Sequence, residues 1–405
     1  MNEGRTEMKI KECRGIDGDR RDYILYGKAR PPFERSDLIE DVLLDRFRYH
    51  CGEGDMWPLT WGEDDNIYAA AGDNKGVPMN LWKVSTLKNF WNPTGKVKAD
   101  VMSNSGSWTL DMINEAPVDV EQYCTDPEAP FIKPAGILDV DGVLYLAVEA
   151  QNYGDKKLFN RQRNLHGWIV TSKDCGRTFD QEATGTDFFS GRLSSCHFLQ
   201  FGRGYRKSRD DYVYAYFPCD LEDGGSYWEN NDALLLGRVP RDRILDRNQW
   251  EFCSSTDQAD PLWSKDDQKA IPVFCYPKMT GANHVAYNPG LGRYIMGNYS
   301  FVDEELHPRP VHQMAYPESH ISQLTLYEAP EPWGPWKLFY RDDNWGTYGD
   351  YQPNFPVRWM SEDGKILFMV SSGSWDDYNF VVQKIALKCR GDREFPDEAR
   401  YFRMK

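Results

Sequence analysis

One unit recurs along this chain, and it constrains the fold more than any other feature of the sequence. Each copy has an apolar strand, a polar turn, and a second strand rich in Tyr, Val and Ile. Turns such as Asp-Gly between two runs of this kind predict β-hairpins. The five copies are MWPLTW (56–61) with IYAAAGD (67–73), PAGILDV (134–140) with VLYLAVE (143–149), CHFLQFG (196–202) with YVYAYFP (212–218), NHVAYNP (283–289) with RYIMGNY (293–299), and FPVRWMS (355–361) with ILFMVSS (366–372).

The spacing of the hairpins predicts how they are arranged. Their first residues are 78, 62, 87 and 72 positions apart, which leaves room for further strands and inserted loops in each repeat. A radial array of small sheets leaves only short, protected edges. Since no helical period separates the copies, the sequence predicts an all-β fold. The predicted architecture is a five-bladed β-propeller rather than a sandwich, with each hairpin as the inner half of one blade.

A second motif also favours a propeller. Residues 172–179 read Ser-Lys-Asp-Cys-Gly-Arg-Thr-Phe, which fits the Asp-box pattern S-x-D-x-G-x-T-[FW]. In that motif the Asp side chain accepts hydrogen bonds from backbone amides of a hairpin turn, and the aromatic residue packs into the blade. The Asp box therefore predicts a structural turn on the outer rim and no chemistry.

The chain is predicted to hold a single propeller domain over residues 51–388, with no linker inside it. Residues 1–50 are predicted to form an extension that packs on the propeller. Within it, SDLIEDVLLDR (36–46) predicts a short helix capped by Ser36 or Asp37. Residues 389–405 are polar and are predicted to form a surface tail.

The charge of the chain restricts its partners. The sequence has 48 Lys and Arg against 63 Asp and Glu, a net charge of −15, with no Lys/Arg-rich run. Nucleic acid and anionic membranes both require a cationic face. We therefore expect no nucleic-acid partner and no membrane partner, but a neutral or weakly charged substrate. A monomer or a weak homo-oligomer is expected.

The cysteines and histidines give no support for a metal or another cofactor. None of the nine Cys residues forms a C-x-x-C pair, and the seven His residues include no H-x-H or H-E-x-x-H motif. The N-terminal residues contain no apolar signal segment. We therefore expect a soluble protein without a cofactor. It is either cytoplasmic or secreted with its signal peptide removed.

In a propeller, the start of each inner strand and the end of the next strand meet at one face of the central axis. These positions are polar in every predicted blade. They are Asp55 and Asp73; Lys133 and Glu149; Ser195, His197 and Asp220; Asn283, His284 and Asn298; and Asn354 and Ser372. The ring predicts a site on the axis, and the alternative is a purely structural channel filled with water.

Asp55 and Asp73 are the candidate catalytic residues. If the first turn is centred on Asp64, positions 55 and 73 face each other, and facing Cβ atoms lie about 4.5–5.5 Å apart. Two carboxylates at that range do not ionise independently, and glycoside hydrolysis requires such a split acid/base pair. Alternatively, both Asp side chains accept backbone amides at strand ends, or a register slip of one residue turns one of them away.

Eight further residues are candidate substrate contacts. Glu149 is either a third carboxylate that tunes the pair or a partner of Lys133, and the two His are either site residues or satisfied core residues. Exposed aromatic rings such as Trp57 and the Tyr227-Trp228 pair fit stacking on a sugar, although most Trp pack inside blades. The eight are Trp57, Lys133, Glu149, His197, Asn283, His284, Asn298 and Asn354.

Several segments resemble a known family. They are DMWPLTW (55–61), YAAAGD (68–73), KPAG (133–136), GRVPRDRI (237–244), NPGLGRY (288–294) and EAPEPWGPW (328–336). The first two are similar to the signature D-x-W-P-x-T-W and Y-x-x-x-G-D of the domain of unknown function 4185 family, which includes bacterial endo-D-arabinanases. The resemblance implies a five-bladed propeller that hydrolyses α-D-arabinofuranosyl linkages of a polysaccharide or oligosaccharide, with Asp55 and Asp73 as the catalytic residues.

Two alternatives to a glycoside hydrolase stay open at this point. A polysaccharide lyase would use His197 or His284 as the base and Lys133 to neutralise a uronate. A non-catalytic carbohydrate-binding propeller would bind its ligand without turnover. For a hydrolase, the distance between the two carboxyls predicts the stereochemistry, and we slightly favour inversion because Glu149 supplies a third acid.

Overall fold

The structure, a computed structural model, describes residues 11–14, 21–74, 77–86, 108–119, 131–153, 159–255, 261–311, 321–346, 349–373 and 378–402. In these ranges the regular structure is β-strand with short 3-10 turns, and no α-helix occurs. The described residues therefore include no helix with the length and apolarity needed to cross a membrane. A ribbon of β1 (Lys11–Arg14) and β2 (Arg21–Ile24) precedes β3 (Ile39–Cys51).

Five sheets hold the remaining strands. The first is β4 (Asp55–Trp61), β5 (Ile67–Asn74), β6 (Val77–Thr86) and β7 (Trp108–Asn114). The second is β8 (Phe131–Val140), β9 (Val143–Tyr153), β10 (Gln162–Ser172) and β11 (Phe189–Ser190). The third is β12 (His197–Phe198), β13 (Tyr212–Cys219), β15 (Asn231–Pro240), β16 (Glu251–Cys253) and β17 (Trp263–Ser264). Two more strands pair with these sheets, β14 (Ser226–Tyr227) with β10 and β18 (Pro272–Thr280) with β15.

The fourth sheet is β19 (His284–Asn288), β20 (Arg293–Val302), β21 (Ile321–Ala329) and β22 (Lys337–Asp342). The fifth is β23 (Tyr351–Asn354), β24 (Ile366–Ser372), β25 (Phe380–Cys389) and, on its outer edge, β3. Short 3-10 turns cover Gly191–Leu193, Arg203–Tyr205, Arg247–Gln249, Asp267–Lys269, Val357–Trp359 and Asp397–Tyr401.

The first strands of the five sheets form a closed ring. Strand β4 contacts β8, β8 contacts β12, β12 contacts β19, β19 contacts β23, and β23 contacts β4 again. The sheets therefore radiate from these inner strands as the blades of a five-bladed β-propeller, and the predicted fold is confirmed. Apolar side chains fill the space between blades, with Trp57, Trp168, Trp250 and Trp359 among the largest fully buried residues.

The predicted helix over 36–46 is wrong, because this part of the chain is the outer strand of the last blade. Strand β3 pairs antiparallel with β25, from Ile39 opposite Cys389 to Cys51 opposite Phe380. Ser36 does act as a local cap, since its Oγ accepts from the amides of Leu38 at 3.1 Å and Ile39 at 2.9 Å. The chain beyond it enters a sheet, so pairing with a distant strand overrides the local helix signal.

The boundary predicted at residue 51 moves accordingly, since residues 39–51 belong to the propeller. A buried ion pair joins the two ends of the chain there, with Lys384 Nζ 2.7 Å from Asp45 Oδ2. The predicted surface tail is also partly wrong. The side chains of Ala399 and Phe402 pack into the core beside the last blade.

Two of the predicted inner strands differ in extent from the strands in the structure. In the third hairpin only His197–Phe198 is a strand, because Gln200 leaves the blade to bond with Val285 and Tyr287 of the fourth. In the fifth hairpin the inner strand is Tyr351–Asn354, and the predicted segment 355–361 instead contains a 3-10 turn.

The Asp box forms the predicted turn. Asp174 Oδ1 accepts from the amide of Thr178 at 2.9 Å, and Asp174 Oδ2 accepts from its hydroxyl at 2.7 Å. These hydrogen bonds lower the pKa of Asp174 to about 2. Phe179 packs against the apolar core between the first two blades.

Asp174→Ala is expected to lower the free energy of unfolding by about 1 kcal/mol, because the hydrogen bonds to Thr178 are lost while the exposed turn stays hydrated. Denaturant titration measures this loss. Lys173→Ala in the same turn is the matched control, since this exposed side chain makes no part of the motif. Equal stability of the two variants would show that the Asp box does not support the blade.

Candidate active site

The first blade places Asp55 at the axial end of its inner strand, but not directly opposite Asp73. The predicted register holds next to the turn, where Leu59 faces Ala69 and Trp61 faces Ile67. A bulge between Met56 and Leu59 then shifts the pairing by one residue, so that Asp55 faces Gly72. The prediction that Asp55 and Asp73 share a facing position is therefore wrong.

The two aspartates meet nevertheless, because Lys133 of the second blade lies between them. Lys133 Nζ is 3.1 Å from both carboxyl oxygens of Asp55 and 2.6 Å from Asp73 Oδ2. Asp73 has a left-handed backbone (φ 45°), which follows the bulged pairing. The side chains of Asp55 and Lys133 are almost fully buried, whereas that of Asp73 is 43% exposed.

Gly72 makes this close approach possible. A Cβ atom at position 72 would lie 2.6 Å from Asp55 Oδ1 and 2.9 Å from Lys133 Cδ. Both distances are too short for a carbon atom to be accommodated. Any side chain at this position would therefore push the aspartate and the lysine apart.

The environments of the two carboxyls differ. Burial raises the pKa of Asp55 to about 6; Lys133 opposes this rise and the charge of Asp73 adds to it. Burial alone would lower the pKa of Lys133, but the attraction of Asp55 and Asp73 outweighs it, so this pKa is raised. The site therefore combines a buried carboxyl that holds its proton more tightly than usual with an exposed one on the same ammonium.

Glu149 is a third carboxyl close to the pair. It lies opposite Lys133 in the pairing of β8 with β9, and its Oε1 accepts from Gln151 Nε2 at 2.7 Å. Burial raises the pKa of Glu149 to about 7, while hydrogen bonds from Ser195 and Gln151 act in the opposite direction. No ion pair between Glu149 and Lys133 is found among the described residues, and the raised pKa makes Glu149 a weaker acid than usual beside the pair.

His197 and His284 lie together on the axis, with ring centroids 4.9 Å apart. His197 Nε2 is 2.6 Å from Ser195 Oγ. Burial lowers the pKa of both, His284 to about 3 and His197 well below its ordinary value, and His284 adds to the effect on His197. Both rings are therefore neutral at ordinary pH.

Several predicted substrate contacts are structural instead. Trp57 is fully buried, packs against Trp82 and Phe380, and donates from Nε1 to Gly54 O at 2.9 Å, so its ring is not available to a sugar. The amides at the axis bond to protein groups: Asn283 Nδ2 donates to Asn298 Oδ1 at 2.9 Å, and Asn354 Nδ2 donates to Trp57 O at 3.2 Å.

The acid pair opens into a small cleft of about 40 Å³. Its described lining residues are Asp55, Met56, Asp73, Lys133, Gln151, Gln162, Trp228 and Tyr378. Of these, Gln151 was within reach of sequence reasoning, because it lies two residues beyond Glu149 and so on the same face of the strand. Gln162 and Tyr378 carry no such signal.

A larger surface cleft of about 640 Å³ lies between Asp187 and Asp267. It is open, and Arg247 there is already paired with Asp267 at 2.7 Å. Charge pairing of this kind is ordinary for a protein surface, whereas the axial cleft contains two carboxyls in unlike environments. The axial cleft is therefore the stronger candidate. The described residues offer no group of three or more His, Cys, Asp or Glu placed to hold a metal ion.

Comparison with known proteins places the chain in a family context. The family profile described as Domain of unknown function (DUF4185) matches residues 121–384, which is more than half of the sequence. No curated protein matches the chain.

Solved structures share a similar arrangement at low identity. A protein from Bacteroides ovatus ATCC 8483, provisionally named a hydrolase, has 12% identity and a TM-score of 0.48, over 82% of this chain and 85% of that one. The GH43_1 enzyme from Xanthomonas citri complexed with xylose has 13% identity and a TM-score of 0.45, over 85% and 90% of the two chains. A protein of unknown function from Dyadobacter fermentans DSM 18053 has 9% identity and a TM-score of 0.38, over 90% and 100%. Likenesses at these values carry no information about the chemistry of this chain.

Proposed function

This chain belongs to the DUF4185 family, and we propose that it is a glycoside hydrolase in which Asp55 and Asp73 form the acid/base pair. One observation carries the proposal: two carboxyls of unlike environment contact the same buried ammonium at the mouth of an axial cleft. Glycoside hydrolysis needs one carboxyl that delivers a proton and one that stays ionised. A buried acid with a raised pKa beside an exposed acid supplies that division of roles.

The roles follow from burial. Asp55, with a pKa raised to about 6, is the proton donor to the leaving oxygen. Asp73 is the exposed carboxylate that attacks the sugar or activates water. Lys133 holds both in reach of the same glycosidic bond. Reaction through a donor with this pKa predicts that activity falls as the pH rises through about 6, when Asp55 loses its proton.

The proposed substrate is a neutral glycan, with α-D-arabinofuranosyl linkages as the finer proposal from the family resemblance. Lys133 is the one cation among the described lining residues, and two aspartates already neutralise it. A uronate entering the cleft would therefore meet no uncompensated positive charge. The lyase alternative also requires an accessible histidine base, and the rings of His197 and His284 are buried.

A panel of oligosaccharides tests the proposal. The panel contains arabinofuranosyl and other neutral fragments together with uronate polymers, and the assay follows both new reducing ends and new double bonds. Reducing ends without double bonds support hydrolysis of the neutral members. Double-bond formation would establish a lyase, and binding without any turnover would establish a carbohydrate-binding propeller, so either result overturns the proposal.

The short separation of the two acids, which both contact Lys133, favours retention of configuration in place of the inversion favoured by the sequence. Asp55 Oδ2 and Asp73 Oδ2 lie 3.1 and 2.6 Å from Lys133 Nζ. These two oxygens are therefore no further apart than the sum of the distances, about 5.7 Å. Inverting enzymes keep their carboxyls about 6.5–9.5 Å apart, and retaining enzymes about 5–5.5 Å. We expect proton NMR during the first minutes of hydrolysis to show a product with the configuration of the substrate linkage. Initial release of the opposite anomer would contradict this.

A further inference from the structure

A buried connection from the third blade crosses to the acid site. Residues 226–231, called the strap here, join β14 to the start of β15, and all six side chains are buried. A buried connection must satisfy its own backbone polar groups. Four hydrogen bonds do so: Tyr227 N to Asn231 Oδ1 at 3.0 Å, Asn231 Nδ2 to Tyr227 O at 2.6 Å, Tyr299 OH to Trp228 O at 2.6 Å, and Arg161 NH1 to Asn230 O at 2.7 Å. The strap is therefore held firmly at several points.

The strap carries Trp228 to the fifth blade. The ring of Trp228 lies edge to face against Tyr351, with centroids 5.3 Å apart and an interplanar angle of 74°. Tyr299 and Phe301 of the fourth blade surround the same two rings. Three blades thus fix the position of the Tyr351 side chain.

Tyr351 connects this aromatic cluster to the catalytic pair. Its hydroxyl donates to Asp55 Oδ2 at 3.3 Å. Burial, followed by the charge of Asp55, raises the pKa of Tyr351 well above its ordinary value, so the phenol keeps its proton and remains a donor. Tyr351 is fully buried, which excludes a contact with bulk solvent as its purpose.

The hydrogen bond from Tyr351 distinguishes the two carboxyl oxygens of Asp55, which Lys133 does not. Lys133 Nζ is equally far, 3.1 Å, from both oxygens of Asp55, so it attracts the carboxyl without distinguishing them. Tyr351 contacts Oδ2 alone and therefore breaks this symmetry. Other titratable groups close enough to interact with Asp55 are Asp73 on β5, Glu149 on β9 and Tyr299 on β20.

We propose that Tyr351, backed by Trp228, is a positioning residue that fixes which way the Asp55 carboxyl faces. The inference deepens the proposed function and rests on it for its effect on turnover. Its structural part concerns Asp55 in the resting protein and is independent of any substrate. The alternative is that Tyr351 and Trp228 only fill the core between blades.

Tyr351→Phe tests the proposal, because it removes the hydroxyl and keeps the ring. The hydrogen bond from Tyr351 favours the ionised form of Asp55, so its loss is expected to raise the pKa of Asp55. Carbon NMR of the Asp55 carboxyl against pH measures this in the absence of substrate. On a glycan that the wild type cleaves, we expect kcat to fall about tenfold, the size of one lost hydrogen bond, with little change in KM.

Trp228→Phe tests whether the Trp228 ring holds Tyr351 in place. It is expected to shift the Asp55 titration in the same direction, and Trp228→Phe with Tyr351→Phe is expected to be no more severe than Tyr351→Phe alone. Such non-additivity indicates that the two residues act through one contact. Additive effects of the two substitutions would overturn the part assigned to Trp228.

Tyr216→Phe is the matched control. Tyr216 is also fully buried, and its hydroxyl donates to Pro332 O at 2.7 Å in another part of the propeller. Both Phe variants remove a buried hydroxyl that donates a hydrogen bond, but only Tyr351→Phe is expected to move the Asp55 titration. An unchanged Asp55 titration in Tyr351→Phe, or an equal shift in Tyr216→Phe, overturns the proposal. A wild type that cleaves no glycan would refute the proposed function and leave this titration result to stand by itself.

Discussion

Asp55→Asn and Asp73→Asn are each expected to lower kcat by about 10³-fold or more, which corresponds to several kcal/mol of transition-state stabilisation. Asn at position 55 cannot deliver a proton, and Asn at position 73 cannot attack the sugar or activate water. The amides are close in shape to the acids, so glycan binding and the fold are expected to persist. Steady-state kinetics on a cleaved glycan and binding titrations on the same glycan measure the two effects separately.

Asp139→Asn provides the matched control for this experiment. Asp139 is also a buried carboxyl on an inner strand, and burial raises its pKa to about 6 as well. It lies at the far end of β8 from Lys133 and bonds to the amide of Gly142 at 3.1 Å, a contact that an amide oxygen preserves. Near-full activity in both Asp55→Asn and Asp73→Asn would refute the acid/base assignment, and a comparable loss in Asp139→Asn would point to a general effect of buried amides.

Lys133→Met is expected to lower the free energy of unfolding by about 3–5 kcal/mol, the usual cost of removing one partner of a buried ion pair. Methionine fills most of the space of lysine but leaves Asp55 buried beside Asp73 without a cation. Urea denaturation near neutral pH measures the loss. The same variant should raise the pKa of Asp55, because the attraction that lowers it has gone.

A second substitution separates charge from packing. If the loss in Lys133→Met comes from the unpaired carboxylate, then Lys133→Met combined with Asp55→Asn should recover part of the stability. Stability that falls further in the double variant would instead indicate that the site depends on the shape and hydrogen bonds of the two side chains.

The propeller was predictable because its hairpins carry local signals. Tight turns with Asp and Gly stand between runs that favour strands, and each such run finds its partner within a few residues. The first hairpin shows how much of the strand pairing these local signals predict. The pairing of Leu59 with Ala69 follows from the turn alone, and it fails at the bulge before Asp55. At the bulge Met56 and Trp57 have positive φ, and neither residue type predicts that backbone conformation.

The contacts among the polar axial positions could not be predicted from the sequence. Sequence reasoning brought Asp55, Asp73 and Lys133 to one end of the axis without showing that the lysine bridges the acids. That contact depends on the bulge and on the missing side chain at Gly72, both of which are set by packing between two blades. Trp57 was misjudged for the same reason, since the bulge turns its ring into the core.

The strand β3 was missed because its partner is far away in sequence. Cys51 Sγ donates to the carbonyl of Phe380, 329 positions later. Ser36 caps a turn in the way that a helix N-terminus would be capped. The local sequence therefore predicts the start of a helix. The pairing with β25 that makes this segment a strand forms only in the folded chain.

The pairing of β3 with the distant strand β25 has a consequence for biosynthesis. A ribosome adds about 5–20 residues per second, so β3 emerges roughly 16–66 s before its partner β25. Throughout that interval β3 lacks its partner strand while blades synthesised after it are already able to fold, and unpaired strand edges favour wrong pairing. The order of synthesis is thus opposite to the order of pairing: β3 is made before the other strands of the five blades, and its pairing with β25 completes the last blade.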